Sequence, residues 1–441
     1  MKVHPRIFIP VVSAVLCATL LILVLWWQLA TSTALILKQS KGNTIVGNIL
    51  QDTFDSTPVP PTAHFPENAY DESLLLLRRG ELLALNGELA QAQQEYEQSV
   101  RKGGGLPALR KLAQIQLQRR DIRGAKETLR QLKNTGARSE DILLLEGIIL
   151  LRSGELVQAR SLLEHATDSP QKYYGLSLLA ILEGEHNKAK EHLEYVRSGW
   201  EPILRGFAIT IIAAYAEYGL FPTSPNIHLI TLLARSLAQV QECELALPLL
   251  VQVTQEQDDY RDAWIVQGYC EFTTERFNQS LHSFERAYTL DPEKPEIQYF
   301  LGRSYAALGN HPTALTFLQY ALKNGFEPQG EVRKFIIQEA IATDNSTIAI
   351  DQYDALLSLP TATIAVFREL TDLALALDNK ELALLKAIDA THRFPQNPQA
   401  FLLLGEVALQ TNHPDEARTA FSQAISLDPN LVAAKEFLKK L

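Results

Sequence analysis

Beyond residue 70 the apolar positions return every three or four residues, the spacing of a single buried helix face, and small residues punctuate that pattern at a much longer interval. An alanine or serine recurs at Ala92, Ala125, Ala159, Ala189, Ala246, Ser280, Ala314, Ala349, Ala383 and Ala417, with gaps of 33, 34, 30, 57, 34, 34, 35, 34 and 34 residues. Twelve residues before each stands Gly80, Ala113, Gly147, Ser177, Ala234, Gly268, Gly302, Ile337, Thr371 or Gly405. Four residues after each stands Tyr96, Leu129, Leu163, Leu193, Leu250, Phe284, Leu318, Tyr353, Ala387 or Phe421. Two small sites twelve apart suit an antiparallel helix pair whose backbones cross closely, and the residue four further on shares the buried stripe. The pattern predicts about ten helix pairs. Gly87, Gly154, Gly184 and Gly309 end first helices, and Asp291-Pro292 and Asp428-Pro429 close repeats.

Ile337 and Thr371 break the small-residue rule and Ala387 is small where a larger side chain is usual, so the repeats over 330–395 read as degenerate, with wider helix crossings. The 57-residue gap equals one repeat plus 23 and holds an extra apolar segment, 203–219, followed by Pro222 and Pro225. Arg205 and Glu217 bound too short a run for a membrane span, so a packed helix is expected. The last residues, 431–441, read as a capping helix with Lys435, Lys439 and Lys440 turned outward.

The units 262–295, 296–325 and 399–431 carry this spacing most clearly, and the chain resembles the tetratricopeptide-repeat (TPR) family, whose period is 34. The resemblance implies an all-α solenoid that presents a concave groove lined by first helices and binds proteins or peptides there. It also implies that residues three before and one after the small first-helix site face the groove. Here those are Arg235, Ile265, Tyr269, Tyr299 and Arg303, with Phe272 a turn on. Tyrosine and arginine dominate binding hot spots; packing between repeats is the competing use of the aromatic residues. A subclass of the family clamps C-terminal carboxylates with lysine and asparagine. The post-glycine sites here hold Glu81, Tyr269, Arg303 and Glu406, so that clamp is not expected.

Residues 7–27, IFIPVVSAVLCATLLILVLWW, contain no charge and are long enough to cross a bilayer as a helix, with Trp26 and Trp27 at one end. A membrane anchor is expected; a cleaved secretory signal is the alternative. Lys2 and Arg6 crowd one flank, which by the positive-inside rule keeps that end cytoplasmic and exports the rest. Pro58, Pro60, Pro61 and Pro66 mark a semi-extended linker. The expected organisation is anchor and flanks over 1–37, linker over 38–69, an N-terminal sub-solenoid over 70–198, the insertion over 199–225, and a C-terminal sub-solenoid with its cap over 226–441.

Charge and chemistry narrow the function. The chain is net −10, and since all 51 acidic residues lie after residue 41 against 37 of the 41 basic ones, that portion carries 37 − 51 = −14. Such a surface repels phosphate backbones, so nucleic-acid binding is not expected. Cys17, Cys243 and Cys270 form no Cys-x-x-Cys; buried free thiols and a Cys243–Cys270 bridge both remain open. His186 and His192 are six apart and no His-Glu-x-x-His occurs, so no metal site is expected. Gly103-Gly104-Gly105 lacks the Lys-Ser or Lys-Thr of a phosphate loop and reads as an inter-repeat stop. No Gly-x-Ser-x-Gly signature is present. The sequons Asn278-Gln279-Ser280 and Asn345-Ser346-Thr347 carry no expected role, the first falling on a face expected to be buried. Repeats account for nearly all of 70–441, which leaves no room for a catalytic domain. The reading is a membrane-anchored, non-enzymatic protein-binding scaffold without cofactor or small-molecule substrate. Its expected place is a bacterial-type inner membrane with the solenoid extracytoplasmic, in assembly or maintenance of an envelope complex. A secreted solenoid and a regulatory subunit of an envelope biosynthetic enzyme are the alternatives.

Overall fold

The computed structural model describes residues 72–137, 139–221 and 223–441; the apolar run at 7–27 and the linker lie outside them. The described residues form 22 helices and no strand. The first four pairs are α1 (Glu72–Leu85) with α2 (Leu89–Arg101), α3 (Gly105–Gln118) with α4 (Ile122–Asn134), α5 (Ser139–Arg152) with α6 (Leu156–His165), and α7 (Pro170–Leu182) with α8 (His186–Ser198). A single helix, α9 (Pro202–Gly219), follows. Then come α10 (Asn226–Gln239) with α11 (Cys243–Glu256), α12 (Arg261–Thr273) with α13 (Phe277–Leu290), and α14 (Pro295–Ala307) with α15 (His311–Lys323). The remaining pairs are α16 (Gln329–Ala342) with α17 (Ser346–Leu357), α18 (Ile364–Ala376) with α19 (Lys380–Arg393), and α20 (Pro398–Gln410) with α21 (Pro414–Leu427); α22 (Val432–Lys440) closes the array. Each pair packs on the next, and several first helices also touch the first helix of the following pair. The array is an all-helical solenoid.

All ten second-helix anchors are fully buried. Their twelve-residue counterparts are buried too, but the two small sites do not simply face one another. A Cβ added at Gly80 would lie 2.6 Å from the Tyr96 ring, one at Gly268 2.9 Å from Phe284, and one at Gly302 2.7 Å from Leu318 Cγ. The first-helix site is small because the bulky side chain sixteen residues later rests on its backbone. Thr371 and Ala387 exchange these roles: the larger residue stands on the first helix, the smaller on the second, and both are fully buried.

A second regularity sits in the turn within each pair. The residue five before every anchor has positive φ: Gly87, Gly154, Gly184 and Gly309, but also Arg120, Gln241, Glu275, Asp344, Asp378 and Asn412, all between 55° and 82°. Left-handed backbone is nearly free for glycine, tolerated by Asn and Asp, and costs other residues about 1–2 kcal/mol.

Helix α9 packs its Ala208, Ile211 and Ala214 inward, between α8 and α10, while Trp200, Ile203, Ile209, Leu220 and Phe221 stay exposed. Among the described residues no helix is long and apolar enough to cross a membrane. One continuous apolar core runs from Leu151 to Cys270 past this insertion. Beyond the insertion the fifth pair reaches back to the second, third and fourth. Glu242, fully buried in the α10–α11 turn, accepts from Arg120 Nη1 at 2.6 Å, from Arg152 Nη2 at 2.7 Å and from Tyr174 Oη at 3.4 Å. Arg152 Nη1 also donates to the Leu117 carbonyl at 3.0 Å. Burial alone would raise the Glu242 pKa, but the two guanidiniums outweigh it and hold the carboxyl below its ordinary value.

Two outcomes follow from this packing. Gly302→Ala lowers stability by about 1–3 kcal/mol through overpacking, because the added methyl also comes 3.1 Å from the Ala314 carbonyl oxygen, which cannot swing away; Glu275→Gly at the strained turn raises it by about 1 kcal/mol. Urea midpoints followed by circular dichroism read both, and equal signs for the two would refute the packing account. Glu242→Gln leaves Arg152 and Arg120 without their counter-charge and costs about 3–5 kcal/mol. Because the folded-state pKa of Glu242 is depressed, its contribution is complete above the ordinary carboxylate value near 4.5 and is lost as pH falls through the lowered folded value. Stability of the wild type therefore drops more steeply in acid than that of the variant, and parallel curves would show that Glu242 is not ionised in the fold.

Candidate functional site

Three successive first helices, α12, α14 and α16, bring their C-terminal halves together around a cleft of about 500 Å³. Phe272, Thr273, Glu275 and Phe277 form one wall, Arg303, Ala306 and Ala307 the floor, and Phe335, Gln338 and Glu339 the other wall. Successive pairs pack side by side along the array, and each of these first helices contributes residues to the cleft at its own offset.

Arg303 is the centre of this arrangement. Its guanidinium carbon lies 3.8 Å from the centroid of the Phe335 ring and 5.3 Å from that of Phe272, and its Nη1 donates to Tyr299 Oη at 2.7 Å. Tyr299 is buried, stacks on Phe326 with centroids 4.2 Å apart, and hydrogen-bonds Glu331. Burial, followed by the Glu331 hydrogen bond, pushes its pKa up to about 12, so the hydroxyl keeps its proton and bridges Arg303 to Glu331. A guanidinium held flat between aromatic rings gains from their quadrupoles and still has donors for a carboxylate or carbonyl. Glu339, on the opposite wall, accepts from His311 Nδ1 at 2.7 Å. The cleft thus offers apolar rings, one cation and the carboxylates of Glu275 and Glu339.

Of the six residues singled out in the sequence, Phe272 and Arg303 line this cleft, and Tyr299 stands behind Arg303 and positions it. Tyr269 is half-buried and meets Phe300 edge-on at 5.6 Å. Ile265 packs on the cluster of Phe284, Ala287, Ile297 and Leu301. Arg235 pairs with Glu217 of α9 and does not belong to the cleft. Sequence reasoning missed Phe277, Phe335 and Glu339. Phe335 lies two residues before the Ile337 site, off the offset rule, and only the aromatic recurrence along α12, α14 and α16 pointed to it.

Of the post-glycine sites, Glu81 is ion-paired with Arg78, and Glu406 with Arg368 at 2.7 Å. Asn278 is exposed, not buried, although Ser280 of the same sequon is fully buried. The register places Asn278 on the outer side of α13. Among the described residues no group of three or more His, Cys, Asp or Glu is placed to hold a metal.

A second recess, about 470 Å³, lies where the α1–α2 turn meets the fold-back, lined by Gly87, Glu88, Gln118, Arg119, Arg120 and Gln241 among others. It adjoins the buried Glu242 cluster and belongs to that joint.

Residues 272–326 and 369–431 match the tetratricopeptide-repeat family model, and the first of these segments contains most of the cleft. Similar solved structures include YrrB, a TPR protein with an unusual peptide-binding site, 17% identical over 44% of this chain and 98% of its own, with a TM-score of 0.34. A tetratricopeptide repeat protein from Parabacteroides merdae is 17% identical over 61% of this chain and 97% of its own, TM-score 0.32. The type IV pilus biogenesis factor PilW is 15% identical over 49% of this chain and 100% of its own, TM-score 0.33. None of these scores reaches the level at which a shared overall arrangement or a shared function follows. None of the curated proteins matches the chain in sequence.

Proposed function

We propose that the chain, two segments of which match the tetratricopeptide-repeat family model, is a non-catalytic scaffold that captures an extended polypeptide segment in the cleft between α12, α14 and α16. The observation that carries this reading is the Arg303 guanidinium, fixed against Phe335 by Tyr299 and open to the cleft between Phe272 and Phe335. An arginine whose rotamers are already restricted loses little entropy on binding, which is how a cleft of modest size reaches useful affinity. The surrounding negative charge, −14 beyond residue 41, favours segments that carry lysine or arginine beside their apolar residues.

The apolar run at 7–27 is the other half of the proposal. It tethers the repeats to a membrane of bacterial type, with the solenoid on the extracytoplasmic side, so that capture takes place near the bilayer and at raised effective concentration. Assembly or maintenance of an envelope complex is the role that fits such a tethered cleft. The support is the uncharged 21-residue stretch and the Lys2 and Arg6 flank.

Two experiments separate these claims. Peptides selected from a random display library on the full chain are expected to bind the double variant Phe272→Ala, Arg303→Glu at least tenfold more weakly, with helical content unchanged; equal binding by a helical variant removes the cleft as the site. For the tether, the full chain is expected to stay in the membrane pellet through alkaline carbonate extraction, with its repeats digested by protease added from the extracytoplasmic face. Release by carbonate would refute the anchor, and protection from the protease would invert the orientation.

A further inference from the structure

Cys243 is the first residue of α11 and Cys270 lies one turn from the end of α12. The two helices run antiparallel and pack together, so both thiols arrive at the same level. They are buried and free and lie in the same apolar cluster. Thr273 Oγ1 lies 3.2 Å from Cys243 Sγ and 3.1 Å from the Cys270 carbonyl oxygen, which ties the two residues into one small cluster. Among the described residues no third sulfur, imidazole or carboxylate completes a metal site around them.

We propose that Cys243 and Cys270 are a dithiol pair that closes to an intrachain disulfide when the folded chain meets a low-molecular-weight disulfide. In the first step the Cys243 thiolate attacks one sulfur of the oxidant; that sulfur–sulfur bond breaks, one small thiolate leaves, and a mixed disulfide remains on Cys243. In the second, Cys270 gives its proton to the departed thiolate and attacks the Cys243 sulfur, expelling the second small thiolate, which takes up the proton that Cys243 released on ionising. Two protein thiols lose two electrons and the oxidant gains them as two thiols, so atoms and charge balance.

The environment assigns the order of attack. Interaction with Cys270, together with the hydrogen bond from Thr273, holds the Cys243 thiol below its ordinary pKa despite burial. A place at a helix N-terminus acts in the same direction. Interaction with Cys243 and burial push Cys270 up. Cys243 is therefore the attacking sulfur and Cys270 the resolving one. Position gives the bond a consequence. Cys243 follows Glu242, the centre of the fold-back joint, and Thr273 stands in the wall of the cleft. The bridge links the joint to the cleft across the seam between two successive helix pairs, whether or not the cleft binds a peptide.

The test uses the full chain, folded, incubated with oxidised glutathione, then unfolded in an alkylating agent and mapped by mass spectrometry. The expected result is a peptide pair joined through Cys243 and Cys270, two hydrogens lighter than the sum of the free peptides and separated by dithiothreitol. Cys243→Ser and Cys270→Ser each abolish it. Cys243→Ser leaves Cys270 unmodified, whereas Cys270→Ser accumulates glutathione on Cys243. Complete alkylation of both thiols in the wild type, or linkage only through Cys17, overturns the proposal; the wild-type map decides this even where a variant folds poorly.

Discussion

The solenoid depends on one close approach repeated along the chain: a large side chain of each second helix seated on the bare backbone of the first, sixteen residues earlier. Tyr96 on Gly80, Leu163 on Gly147, Phe284 on Gly268, Leu318 on Gly302 and Phe421 on Gly405 are the same contact in five repeats. The dense interior tolerates little change in the summed volume at that crossing, and the Thr371–Ala387 pair keeps the sum by reversing the sizes. A fixed crossing lets successive pairs pack side by side along the array. Only then can residues of successive repeats, such as Phe272 and Arg303, converge on one cleft.

That contact is why so much was legible in the sequence. Its spacing is rigid, so the anchors and the ten pairs could be read from small residues alone, and the unpaired helix near 203–219 from the long gap and the apolar run that fills it. The site was legible only in part. The offset rule reached Arg303 and Tyr299, with Phe272 a turn on, but it speaks of backbone direction and not of what fills the space. Phe300 sits between Tyr269 and Phe284, with centroids 5.6 and 5.2 Å away, and draws Tyr269 into the inter-repeat packing; Ile265 goes the same way. Arg235 is taken by Glu217 because the insertion places α9 beside α10.

The fold-back could not have been read at all. Glu242 stands four residues before its anchor, where Glu88, Glu155 and Glu185 stand in other repeats, and nothing in its neighbourhood marks it as different. Only Glu242 of these four is buried, because the insertion turns the fifth pair toward Arg120, Arg152 and Tyr174. Those three come from the pairs formed by α3, α5 and α7 with their partners, so the ends of those first helices are already occupied by the chain itself. The open cleft lies one pair beyond the fold-back, where first helices again meet solvent.

Strain follows the same division. Every repeat needs a left-handed residue at the turn of its pair, and seven of the ten supply glycine, asparagine or aspartate. The three that do not are Arg120, Gln241 and Glu275, at about 1–2 kcal/mol each. Arg120 reaches Glu242, Gln241 lines the recess beside it, and Glu275 stands in the wall of the cleft. A glycine would relax each turn and remove the side chain the place requires. Backbone strain of this kind persists where surrounding structure over-determines it and where the side chain has a use. Among the ten turns, the three strained side chains fall at the joint and in the cleft wall, and the other seven turns carry glycine, asparagine or aspartate.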